Sequence, residues 1–215
     1  MVLSWYDLGM TRKKEALQHF KRIDPHFYKA TKAQHAFLPE QLSAKRTRQE
    51  LFASLVAIVI SQQLGTAAAD TILARVKKVC GIRLSPAAIL KTRFTEFRKT
   101  GLSGAKTKTL KAIAAAVTDN SLDLLSLKKI PEAAAAKKLI QIWGLGPWSV
   151  EMFMMHSLGR DDIFSSGDLG LIRAMEAIYS LPKNVSRTSL LAIAEKWSPY
   201  RTYASLLLWR FRSSK

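Results

Sequence analysis

Helix cap-and-stop signals punctuate almost the whole chain, and no period-2 run is long enough to read as a strand. Thr66 or an adjacent residue opens a run through Val79, with Gly81 as its stop. Ser85–Pro86 pairs an N-cap with proline at the first helical position, where a missing N–H costs nothing. Gly101–Leu102–Ser103–Gly104 is a short loop whose serine caps a helix over Lys106–Val117. Pro131 in the first helical position predicts a helix over Glu132–Trp143, and Gly144–Pro147 breaks it before the next, Trp148 to Ser157. Asp168 begins a helix that ends near Pro182, Ser186 opens another, and Ser198–Pro199 caps a last one to about Phe211. Arg46–Leu64 is amphipathic at its start and nearly all apolar in its second half, as a central helix packed on several sides should be. With no internal repeat, low-complexity tract or long linker, the expected fold class is all-α.

A chain of 215 residues can bury one generous core or two small ones, and 48% hydrophobic with 23% charged residues excludes a disordered or collagen-like chain. One cysteine, Cys80, excludes an internal disulfide, a four-cysteine zinc site and a four-cysteine iron–sulfur cluster, and points to a reducing compartment. The four histidines lack metal-ligand spacing, so neither a metal nor a cofactor is expected. Thirty-four Lys and Arg against sixteen Asp and Glu give a net charge of +18, which draws a protein to a polyanion: nucleic acid or an acidic membrane surface. The membrane is the weaker partner. The most apolar stretch, Leu51–Ile60, is ten residues, about half of a span, and the N-terminal segment has an early Asp7 and no secretory apolar core. Much of the charge is concentrated: Arg75–Lys111 carries eleven basic residues against the single acid Glu96, a credible phosphate-facing surface.

The sharpest local pattern is LIQIWGLGPWSVEMFMMHSLG, Leu139–Gly159. A helix ends, the chain turns through Gly144–Leu145–Gly146, and Pro147 restarts a helix. Glycines let backbone amides approach a phosphate, and the new helix N-terminus adds partial positive charge. A lone Gly-x-Gly is weak evidence; an aspartate 22 residues after Gly146, in Gly167–Asp168–Leu169–Gly170, makes it strong. Together these segments resemble the hairpin and following aspartate of the helix-hairpin-helix (HhH-GPD) DNA glycosylase superfamily, and within it the 3-methyladenine DNA glycosylase II branch. Ile60–Leu64, Thr100–Lys106 and Glu195–Ala204 with Trp209 resemble three further stretches of that branch, so the likeness spans roughly residues 46–212.

The resemblance implies two helical subdomains with an active-site cleft between them. Residues 50–160, with the hairpin at 132–157, would form one lobe, and 1–49 with 161–215 the other, the whole of 1–215 being one glycosylase unit. It also implies the short form, without an N-terminal β-domain. The implied activity is monofunctional hydrolysis of the N-glycosidic bond of alkylated purines (3-methyladenine, 7-methylguanine) in base excision repair, by base flipping. Asp168, an N-cap by position, becomes the catalytic carboxylate, an anion beside the positive charge that develops on the sugar. The rival acids Glu151, Asp161 and Asp162 read as surface or capping residues. Where bifunctional relatives carry a nucleophilic lysine, this chain has Pro147–Trp148–Ser149, so water is the expected nucleophile.

Trp148, Tyr200 and Tyr203 each have two readings, lining of the base pocket or core packing, while Trp5, Trp197 and Trp209 are assigned to the core. Gln63 is the expected wedge that fills the gap left by a flipped base, with Gln62 and Leu64 as alternatives. Gly144, Leu145, Gly146, Ser103, Gly104, Lys106 and Lys108 are expected to meet the DNA backbone. Gly65 stands where relatives have a longer side chain, and Ser166 replaces a proline common before Gly-Asp. The implied partner is double-stranded DNA carrying damaged bases, engaged by a monomer in a bacterial cytoplasm or a nucleus. Two alternatives stand beside this: a glycosylase for another lesion (hypoxanthine, ethenoadenine or a mismatched pyrimidine), and a non-catalytic hairpin module that only grips DNA.

Overall fold

The computed structural model describes residues 11–42 and 47–213, so Trp5 lies outside the described residues. Within them the chain forms twelve α-helices, two 3-10 turns and no strand, an all-α protein. No helix among the described residues is long and apolar enough to cross a membrane. The chain divides into two compact units, one made of its two ends, up to Leu42 and from Arg160 on, the other continuous over Ser43–Gly159.

The unit made of the two ends contains α1 (Arg12–Ile23), α2 (Pro25–Ala30), α10 (Leu169–Tyr179), α11 (Arg187–Glu195) and α12 (Arg201–Ser213). Its core is aromatic. Phe27 stands edge-on to Phe20 with ring centroids 5.4 Å apart and lies 4.7 Å from Trp197, and all three are fully buried. Such pairs add about 0.5–1.5 kcal/mol each beyond the area they bury. Asp24 is buried among them without a penalty, because it is the N-cap of α2: Oδ1 accepts from Phe27 N, and Oδ2 accepts from Tyr179 Oη at 2.6 Å and Trp197 Nε1 at 3.3 Å. The last helix starts at Arg201 rather than at Ser198–Pro199, because Arg201 is first fixed by Asp162, whose carboxylate takes bonds from Nε (2.8 Å), Nη2 (2.9 Å) and the Arg201 amide.

The continuous unit contains α3 (Arg48–Ser61), α4 (Thr66–Cys80), α5 (Pro86–Lys91), α6 (Phe94–Lys99), α7 (Gly104–Thr118), α8 (Glu132–Ile140) and α9 (Pro147–His156). The capping box of Thr47 and Glu50 starts α3, and Gly81 at φ +93° stops α4. Leu51, Phe52, Leu55, Val56, Val59 and Ile60 of α3 are all buried, and α3 packs on α4, α7 and α9, which is why its second half shows no polar face.

Two helices end earlier than their patterns predict. The one expected over Glu132–Trp143 stops at Ile140, and Pro131 is its N-cap, not its first helical residue. Beyond Ile140 the chain tightens into three-residue hydrogen bonds, Ile142 N to Leu139 O and Leu145 N to Ile142 O, the 3-10 pattern in which α-helices often end. Likewise α3 does not reach Leu64: Gln62 turns extended at φ −48°, ψ 127°, and Gln63 is left-handed at φ +55°.

Candidate active site

In the unit made of the two ends, Asp168 caps α10. Its Oδ1 accepts from the Leu171 backbone N–H at 3.0 Å and from Trp209 Nε1 at 2.9 Å. The carboxylate is half-buried between exposed Gly167 and Leu169, the latter 72% exposed. Gly170 makes this geometry fit: a Cβ there would lie 3.0 Å from Asp168 Oδ1 and 3.1 Å from Trp209 Cδ1. The core assignment of Trp209 is thus corrected. The ring is only partly buried against the core, and its N–H fixes the orientation of the acid. The sequence holds one signal for this, a glycine in the first turn of a helix, a place where close approach of a bulky neighbour favours it.

Ser166 is buried, and its Oγ accepts from Arg187 Nε at 2.8 Å, while Asp168 N donates to Ser165 O at 3.1 Å. The rigidity that a proline would bring at position 166 comes here from an arginine one element later. Tyr203 is fully buried in the core of this unit, so it offers no face to a base, and its pocket assignment is withdrawn for that reason. Burial and the nearby Asp161 carboxylate push its phenol well up. Tyr200 is half-buried, donates to Glu15 Oε2 at 3.2 Å and meets the edge of His19; burial and Glu15 raise its phenol too.

In the continuous unit, the hairpin between α8 and α9 turns at Gly144, φ +83°, which only glycine adopts readily. A Cβ there would sit 1.9 Å from Thr109 Oγ1, so the turn lies directly on α7. Gly146 is the N-cap of α9 with nothing within 4 Å of a Cβ position: no packing demands glycine there, and open backbone is what it provides. Leu145 differs from expectation: its side chain is buried and its N–H already donates to Ile142 O at 3.0 Å, so it has no amide to offer a phosphate. Trp148 stands half-buried in the first turn of α9, and Trp143, just before the turn, is 55% exposed.

The neighbouring loops divide into outward and inward residues. Gln63 and Leu64 are exposed at the tip after α3. The Gln62 side chain is turned inward. Its Nε2 donates to Ser149 Oγ at 2.7 Å and Gly144 O at 3.1 Å, tying the loop to the hairpin. Ser103 Oγ caps α7 through Lys106 N at 3.2 Å, Gly104 opens that helix, and Lys108 is exposed. Lys106 is not extended toward a backbone phosphate: its Nζ donates to Ile60 O at 2.8 Å and Gln62 O at 2.6 Å, and burial pulls the ammonium below the ordinary lysine range. A lysine in a helix's first turn opposes the dipole of its own helix, and that is the sequence signal of a partner elsewhere. Among the described residues no three His, Cys, Asp or Glu side chains gather as a metal site would require.

Known proteins share this architecture. A DNA-3-methyladenine glycosylase 1 of Schizosaccharomyces pombe is 30% identical over 207 residues, covering 94% of this chain and 88% of its own. A solved S. pombe 3-methyladenine DNA glycosylase in complex with abasic DNA superposes at a TM-score of 0.81, 28% identical, over 91% of this chain and 95% of that one. A DNA-3-methyladenine glycosidase of Bacillus halodurans superposes at 0.77, 29% identical, over 95% and 92%. Residues 56–199, from the last turns of α3 through the hairpin and the capped aspartate to the Trp197–Pro199 turn, match the family described as HhH-GPD superfamily base excision DNA repair protein, and the chain belongs to that family.

Proposed function

We propose that this protein is a monofunctional DNA glycosylase that removes cationic alkylpurines, 3-methyladenine and 7-methylguanine, from double-stranded DNA, acting as a monomer. The observation that carries this is Asp168, an acid held in one orientation by an indole and a backbone amide. These two donors fix the direction of Oδ1. In the reaction the C1′–N bond breaks and the base leaves with the bonding pair. The carboxylate stabilises the oxocarbenium-like sugar, water adds to C1′, and the water's proton passes to Asp168. No amine stands at Pro147–Trp148–Ser149 to attack the sugar, so the product is an intact abasic strand.

A purine alkylated at N3 or N7 already carries the positive charge that makes it a good leaving group, and no general acid beside Asp168 is required. Aromatic faces favour such cations by about 0.5–2 kcal/mol per good contact. Trp209, partly exposed beside the carboxylate, is an aromatic of this kind, and Tyr203, fully buried, is not. Gly146 and the N-terminus of α9 meet a DNA phosphate, with Lys108 supplying charge, and Gln63 is the wedge.

Incubation with methylated duplex DNA and mass identification of released bases tests this. Release of 3-methyladenine and 7-methylguanine well above hypoxanthine, with no borohydride-trapped adduct, is the expected result. Efficient trapping, or faster hypoxanthine release, would contradict it. Single-turnover conditions keep slow release of the abasic product from masking the chemistry.

A further inference from the structure

The carbonyl end of α3 leads straight into the loop that carries Gln63, and four hydrogen bonds hold that end and the first loop residue. Lys106 Nζ bonds Ile60 O (2.8 Å) and Gln62 O (2.6 Å). The Gln62 side chain reaches Ser149 Oγ (2.7 Å) and Gly144 O (3.1 Å) on the hairpin. The hairpin in turn rests on Thr109 of α7, one turn from Lys106 on the same helix. Between the clamped Gln62 and the start of α4, Gln63 sits exposed in the left-handed region at φ +55°, a conformation an ordinary side chain adopts only when its surroundings impose it.

The geometry points to Lys106 as a positioning residue: by binding the last carbonyls of α3 it holds Gln63 in its left-handed, outward pose, and it is not itself a phosphate ligand. A cation is suited to this work, since unsatisfied carbonyls at a helix C-terminus carry partial negative charge and a charge-assisted bond is about twice as strong as a neutral one. It also accounts for a lysine in the first turn of α7, where the helix's own dipole disfavours it. The inference rests on the glycosylase reading above, through the role given to Gln63.

The test compares wild type, Lys106→Met and Lys106→Arg on two duplexes carrying 7-methylguanine, one with cytosine opposite and one with an abasic analogue opposite, where there is no estranged base. Lys106→Met should lose tenfold or more in single-turnover release opposite cytosine but less than threefold opposite the abasic analogue. Lys106→Arg, which can still donate to both carbonyls, should recover most of the loss. The dependence of log affinity on log salt should keep its slope in Lys106→Met. A slope shallower by about one, with equal losses on both duplexes, would make Lys106 a phosphate ligand and overturn the inference. Equal losses with unchanged slope and a lowered melting temperature would reduce it to a general structural residue, which also overturns it.

A readout without chemistry separates this from the functional reading. 2-Aminopurine placed opposite an abasic analogue gains fluorescence when a wedge unstacks it, and Lys106→Met at saturating concentration should give half the wild-type gain or less. Wild type that gains fluorescence but releases no methylated purine would refute the glycosylase reading and leave Lys106 to be judged on this signal; an unchanged gain in Lys106→Met would refute the role proposed for Lys106.

Discussion

The turn that presents Asp168 and the loop that presents Gln63 solve one problem with opposite chemistry. Both are short connections entering a helix, and both are held by a side chain from another helix. At Asp168 the Trp209 indole and the Leu171 amide, both neutral donors, bond Oδ1, and Arg187 binds Ser166 two residues before. At the loop after α3 the donor is the ammonium of Lys106, and what it holds is uncharged carbonyl. At Oδ1 of the acid the holding groups are dipoles; at the loop the holding group is a charge.

The largest effect should come from Asp168→Asn, which keeps the shape and removes the charge. Base release should fall a hundredfold or more, about 3 kcal/mol of transition-state stabilisation, while DNA affinity stays within a few-fold. Near-normal release would take Asp168 out of the mechanism and end the comparison.

The two hairpin glycines sharpen the other side. Gly144→Ala drives a Cβ into Thr109 at a left-handed position and should destabilise the continuous unit by about 2–4 kcal/mol in chemical denaturation. Gly146→Ala meets nothing and should leave stability within about 1 kcal/mol, yet weaken DNA binding about tenfold if the open backbone there meets a phosphate. Equal stability losses would mean both glycines serve packing.

Trp209→Phe tests the neutral-donor idea directly, because it removes one N–H and keeps most of the ring. Release should slow ten- to a hundredfold, matching a hydrogen bond to a charged group at about 1.5–3 kcal/mol, with DNA affinity within threefold. An unchanged rate would assign the orientation of Asp168 to the cap alone.

The smallest effect concerns pH. Burial pulls the Asp162 carboxyl up, but Arg201 and Ser198 outweigh it and hold it below the usual carboxylate range. An acid depressed in the folded state contributes stability that is complete above its unfolded value, about 3.9, and is lost as pH falls through the folded value. Asp161 beside it, raised mainly by burial, works in the opposite sense. Asp162→Asn should therefore cost about 1–2 kcal/mol at neutral pH and flatten the acid limb of stability below about pH 4, as thermal melts across pH would show.

Much of the frame is legible in local sequence because caps and stops act over three or four residues. Thr47, Ser85, Ser103, Asp168 and Ser186 each bond the backbone three residues on, contacts that involve no other element. Family likeness supplied the acid, and composition the polyanion. The helix ends at Ile140 and Ser61 are not legible, since the apolar pattern continues past them and only the folded turns show where hydrogen bonding changes type.

What the sequence by itself determined, then, is the all-α class, the starts of α4, α5 and α7 to α11, the hairpin turn and the cap at Asp168, while α1, α2 and α6 show only in the structure. What only the tertiary structure decided is which neighbours act on them: Trp209 on Asp168 across 41 residues, Lys106 on Ile60 across 46, Gln62 on Ser149 across 87, and the burial of Tyr203. The reason is physical. A cap is a property of four consecutive residues, whereas the direction in which an indole or an ammonium points depends on which helices pack together, and local sequence marks such partners only by the small penalties it tolerates, a glycine at 170 and a lysine at 106.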